Sequence, residues 1–150
     1  MAISIRESHL SHRIIKTYEL KVGTFYFFED FIVVEYAKDT LVSFSAIQPI
    51  MAKRNKYFPN NRPFGLIVNK INPYNTVPSD AVKLEKEVPN LVATAVVGYN
   101  CSQTIHFDLE NYFFKKINRK LFNSLEQADT WLSEIFKTEQ LVISNKSHLL

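Results

Sequence analysis

One cysteine and three glycines in 150 residues remove several chemistries at the outset. A single thiol, Cys101, forms no internal disulfide. A lone cysteine is also more often a small buried hydrophobe than a nucleophile. No glycine-rich loop is present to cradle a phosphate, and no nucleophile elbow follows a strand. Charge of one sign is scarce as well. The net charge is +3, and the basic residues are dispersed, with Lys53, Arg54 and Lys56 in one segment and Lys115, Lys116, Arg119 and Lys120 in another. Basic residues in a last helical turn complement the helix dipole, which is the plainer use of these two groups. No nucleic-acid partner is expected. No apolar run approaches the roughly 20 residues that cross a bilayer, so no membrane insertion is expected either. The opening MAISIRESHLSHR sets Arg6, Glu7 and His9 where a signal peptide needs an apolar stretch, and the expected location is the cytoplasm.

Ligand sets for metals and catalysis are equally thin. His9 with His12, or Cys101 with His106, supplies two groups where zinc needs three or four converging ones. Residues five apart on a helix diverge by about 140°. Asp108 with Glu110, and Glu85 with Glu87, are two apart and face different ways on a helix. No Ser–His–Asp set has a physical reason behind it. We expect no metal, no cofactor and no catalytic residue. Aromatics are plentiful, with 12 Phe and 7 Tyr. A run such as TFYFF alternates along a strand, and no basic groove accompanies it, so core packing is its expected use.

What is present reads as one α/β domain. Ile14 to Leu20, Thr24 to Phe28 and Phe31 to Tyr36 are rich in β-branched and aromatic residues between turns, and predict a β-meander. A short extended piece at Leu41 to Phe44 leads into a helix capped by Ser43 or Ser45, Ser45 and Gln48 fitting a capping box. Pro49 falls within it, either in the tolerated first turn or as a kink. Phe64 to Ile71 and Leu91 to Tyr99 are near-continuous apolar runs flanking a short helix from Ser79 to about Glu87. Such a βαβ unit has parallel strands buried on both faces. Ile105, Leu109, Phe113 and Ile117 recur every four residues and predict the buried stripe of the next helix. After a short strand at Lys120 to Phe122, Ser124 opens a final helix. Its buried face is Leu125, Ala128, Leu132, Ile135 and Phe136, with Trp131 at the flank. Residues 1–13 are expected to be a flexible leader, 14–137 a single domain and 138–150 a loosely held tail.

The segment after the strand 64–71 is the candidate functional edge, since ligands gather beyond the carboxyl ends of strands in open α/β sheets. Asn69, Asn72, Tyr74 and Thr76 lie along it, and Ser79 stands at the helix start. Asn in such a loop commonly bonds its own backbone, and Ser79 serves plainly as a helix cap. Tyr74 is the position expected to be an exposed aromatic contact.

Four segments, FEDFIVVEYAKDTLVSFSAI, RPFGLIVNKINPYN, LVATAVVGYN and KLFNSLEQADTWL, together with their order over Tyr18 to Phe136, resemble the SpoIIAA-like (STAS-like) group, and most of all the STAS-like proteins of Bacteroidota. The resemblance implies an α/β fold: a mixed sheet of four to five or more strands covered by about four helices. It also implies a non-enzymatic binding or regulatory module that meets a protein partner at the loop after the strand 64–71. Members with a phosphorylation switch carry a serine in an Asp-Ser-x-Gly-like sequence at this place. Ser79 is the matching serine here, without the preceding aspartate or the glycine. The alternative is a small-molecule or lipid carrier with an apolar pocket under the first helix, although the related CRAL-TRIO lipid carriers need a longer chain. An enzyme ranks third.

Overall fold

Both long apolar runs become strands, and they lie side by side. The computed structural model describes the backbone of residues 2–149 and side-chain burial for residues 2–138. Its strands are β1 (Lys16–Leu20), β2 (Gly23–Phe27), β3 (Phe31–Tyr36), the two-residue β4 (Leu41–Val42), β5 (Phe64–Asn69), the two-residue β6 (Asn75–Thr76), β7 (Leu91–Val97) and β8 (Asn118–Phe122). Its helices are α1 (Phe44–Met51), the single turn α2 (Arg54–Tyr57), α3 (Ala81–Glu87), α4 (Cys101–Asn111) and α5 (Leu125–Leu149). Six strands form a mixed sheet in the order β1-β2-β3-β5-β7-β8, antiparallel from β1 to β3 and parallel from β3 to β8. β5 and β7 are adjacent, parallel and interior, as the two apolar runs predict.

The parallel half advances in one direction, and its helices divide cleanly between the faces. Side chains of α1, α3 and α4 join one core with Ile32, Val34, Leu66, Val68 and Val96. The opposite core holds α5 with Val33, Ile67, Ala93, Ala95 and Val97. Alternate residues of each strand therefore serve different layers, which is why both faces of β5 and β7 are apolar. The α5 face is built from small residues. A Cβ on Gly65 would lie 3.0 Å from a Leu132 methyl, so glycine there lets α5 approach the sheet. α5 docks through Leu125, Ala128, Leu132 and Phe136, all buried.

Four expectations need correction. Residues 2–13, expected within a flexible leader, are packed on the domain. Ser4 and Ser8 cap two short 3₁₀ turns, Ile5–Glu7 and His9–Arg13, and Ile5 and Leu10 are buried in the α5-side core. The buried Glu35 carboxylate holds this segment by accepting from the Ile5 N–H at 2.8 Å and the Ser4 hydroxyl at 2.7 Å. Next, the predicted stripe does not form on α4: Ile105 and Leu109 are 60% and 61% exposed, Phe113 and the buried Ile117 lie beyond the helix, and Phe107 docks it instead. Third, Ser43 and not Ser45 is the N-cap residue of α1, accepting from the Ala46 N–H. Pro49 lies inside the helix, which ends two residues later. Finally, Lys115, Lys116, Arg119 and Lys120 end no helix. α4 stops at Asn111, and the Glu85 carboxylate accepts from the backbone N–H groups of Lys115, Lys116 and Ile117, fixing a loop that feeds β8. Burial works against the charge of Glu85, but the three backbone donors outweigh it and hold the carboxyl below its ordinary value. The expected loose tail begins at residue 138. The backbone of α5 continues to Leu149, and the side-chain surroundings of residues 139–150 lie outside the described residues.

Candidate functional site

The α1 side of the sheet has a floor of large side chains and a roof of short helices, and the two do not meet everywhere. Register places Ile32, Leu66, Thr94 and Arg119 in one row across β3, β5, β7 and β8. Val34, Val68, Val96 and Leu121 form the next row. Above them stand the first turn of α1 (Phe44, Ile47), the start of α3 (Ala81, Leu84) and Phe114 just beyond α4, bordering a half-open cavity of about 100 Å³. The β4–β6 pair, joining Val42 to Thr76, forms part of its wall. Asp80 closes the corner where three elements meet: its carboxylate accepts from the Phe44 N–H at 2.7 Å and so caps α1 together with Ser43.

Polar groups enter this apolar space at one end. Lys70, nearly sealed from solvent, donates to Glu110 at 3.1 Å and lies over the Tyr74 ring. Tyr74 packs edge-on against Tyr36. Burial pushes the phenol of Tyr36 up, and burial with the neighbouring Tyr36 and Glu110 does the same for Tyr74. Arg119 lies between the rings of Phe107 and Phe114. Burial lowers its pKa, against the pull of Glu110 and Tyr74.

The residues singled out from sequence distribute differently than expected. Tyr74 is half-buried and part of the cavity wall, not an exposed anchor. A loop aromatic can bury itself under its own loop, which the search for a helix or strand face overlooks. Asn69 is buried on the opposite face. It donates to Glu35 at 2.7 Å and to the Ile3 carbonyl, and accepts from the Tyr99 hydroxyl at 2.6 Å. That cluster satisfies itself and ties down the N-terminal segment. Asn72 donates to the Tyr36 carbonyl at 3.1 Å, the turn-making use. Thr76 is a strand residue beside the cavity. Ser79 is exposed but caps nothing: it sits inside the 3₁₀ turn Pro78–Asp80, and Asp80 takes the capping role, for α1. Lys70, Glu110 and Arg119 are the site residues that sequence reasoning did not select.

Among the described residues, no group of three or more His, Cys, Asp or Glu converges as a metal site would require, and no helix is long and apolar enough to cross a membrane. Wider depressions exist, such as one of about 650 Å³ lined by Tyr99, Asn100, Cys101 and Asn123. That groove carries no charged side chain. No family model, no curated protein and no solved structure matches this chain. The cavity geometry is therefore what the functional argument rests on.

Proposed function

We propose that this chain is a non-enzymatic binding module that takes a compact ligand into the cavity beneath α1. The observation that carries the reading is a void of about 100 Å³ with apolar walls and charged groups gathered at one end. Ligand sites have this character: mostly apolar lining, with a few convergent polar groups that fix orientation. The volume speaks against a lipid. An engineered cavity of about 150 Å³ takes up benzene, so a long acyl chain has no room here. The carrier reading thus narrows to a small molecule.

The sequence resemblance supports placing the module among STAS-like regulatory proteins of the cytoplasm, with ligand occupancy read by a protein partner. Exposed Ser79 is where a phosphate would sit in a switching version. The loop at residues 72–79 then acts as a wall of the ligand site and less as a docking surface.

Xenon uptake tests the reading directly. In NMR spectra of the full chain under xenon pressure, the methyl groups of Ile47, Leu66, Val68 and Val96 should shift. Leu84→Phe, which fills the space from a half-buried position, should abolish those shifts while leaving the circular dichroism spectrum unchanged. Xenon shifts confined to the α5 face would remove the cavity from consideration.

A further inference from the structure

The charges that line the cavity balance in number but not in pairing, and the group left without a hydrogen-bonded partner points to a class of ligand. Four charged side chains line it: Lys70, Asp80, Glu110 and Arg119. Lys70 and Glu110 pair at 3.1 Å. Asp80 accepts from the Phe44 N–H and has Lys83 at 3.8 Å. Arg119 is left over. Its Nε and Nη1 atoms are sealed from solvent and have no hydrogen-bond partner among the described residues. The rings of Phe107 and Phe114, with centroids 4.9 and 4.3 Å from the guanidinium carbon, offset part of the charge. They do not replace a carboxylate acceptor. Buried charged donors without an acceptor are costly, and in native proteins they are rare enough to require an explanation.

The geometry points to a short-chain monocarboxylate as the occupant, its carboxylate beside the Arg119 guanidinium and its acyl body against Leu66, Leu84 and Val96. This rests on the reading of the cavity as a ligand site. Thr94, buried and in register with Arg119, offers a hydroxyl to the same carboxylate. One guanidinium without an acceptor is matched by one carboxylate. A phosphate dianion would bury an excess charge against the apolar walls. By comparison with the benzene-sized cavity, the acyl body holds about three or four carbons. Arg–carboxylate pairing is charge-assisted on both sides and stronger than neutral hydrogen bonding.

Butyrate and butyramide, titrated separately into the full chain in chloride-free buffer and followed by amide NMR, make the test. They share shape and differ in charge. Butyrate should shift the amides of Thr94 and Arg119 and bind about tenfold or more tighter than butyramide, the factor expected for a hydrogen bond to a charged group. Arg119→Gln should bring the two affinities together. The wild-type comparison stands alone if that variant fails to fold. Equal affinities of the wild type for both probes, or binding of neither while xenon still enters, would overturn the carboxylate and leave the cavity reading standing. Failure of xenon as well would end the cavity reading itself. Displacement of butyrate by nitrate at equal concentration would point to an inorganic anion and overturn the inference.

Discussion

The two faces of the sheet are built from the same strands and differ in almost everything else. On one, a single long helix lies over glycine and alanine at Gly65, Ala93 and Ala95, and the layer closes solidly. On the other, valines, leucines and an arginine meet short helices broken by Pro49, by the turns at residues 52–63 and by the end of α4 at Asn111. Helix length makes the difference. A long helix offers a continuous ridge to a flat floor, whereas short helices leave gaps at their ends, where backbone groups must also be capped. The cavity lies where those ends converge; Asp80 and Ser43 satisfy the first turn of α1, and Glu85 satisfies the loop that follows α4.

The solid face should be the more brittle. Leu132→Ala removes a fully buried side chain that touches the position above Gly65. Equilibrium urea unfolding should show a loss of about 2–5 kcal/mol. A loss under about half a kcal/mol, typical of exposed sites, would mean that α5 is not an integral layer.

Among the polar groups on the cavity side the largest effect should come from Glu85. Replacing it with alanine strands the N–H groups of Lys115, Lys116 and Ile117 and should cost on the order of 2 kcal/mol at neutral pH. The pH dependence has a definite sign. The folded carboxyl titrates below its ordinary value of 4.5, so its stabilisation is fully present above that value. It is lost as pH falls through the lower folded value. Stability of wild type and Glu85→Gln measured from pH 7 downward should therefore converge in acid. Parallel curves would show that the charge of Glu85 contributes nothing.

Sequence reading reached the faces more readily than the gaps between them. The β5–β7 pair and the α5 stripe were legible because periodicity encodes which side of an element is covered. Lys70 was legible in principle, since it continues the alternation Leu66, Val68 onto the α1 side, but a lysine after an apolar run reads as the strand's polar end. Arg119 was hidden among three other basic residues, where a solvated helix end explains all four. Only the capture of residues 115–117 by Glu85, a contact across 30 positions, separates it from them. Ile5 and Leu10 belong to turns too short to have a period. Long-range hydrogen bonds hold Ile5 to Glu35 and Lys70 to Glu110, and local pattern does not record them.

Enlarging one aliphatic side chain on each face compares them directly. Ala95→Val enlarges a fully buried residue under α5 and should cost about 1–3 kcal/mol, as overpacking does. Val68→Ile projects its extra carbon toward the cavity and should leave stability equal or raise it, by up to about 1 kcal/mol. Equal losses at both sites would mean that the α1 side is as tightly filled as the other.

The smallest effect belongs to α4, where the sequence pattern was clearest and the structure answered it least. Ile105 and Leu109 sit one turn apart on a surface stripe, each about three-fifths exposed, while Phe107 on the same helix is buried with its ring against the Arg119 guanidinium. A stripe that packed on the core would lose stability steeply on conversion to serine. One that faces water loses only helix propensity, a few tenths of a kcal/mol per residue. The double variant Ile105→Ser, Leu109→Ser should therefore unfold within about half a kcal/mol of the wild type for each site changed, while Phe107→Ala alone should cost about 3–5 kcal/mol. The contrast separates periodicity from burial on a single helix. If the serine pair proved the more damaging, α4 would be rotated by nearly half a turn, and Phe107 would no longer flank the guanidinium on which the carboxylate site depends.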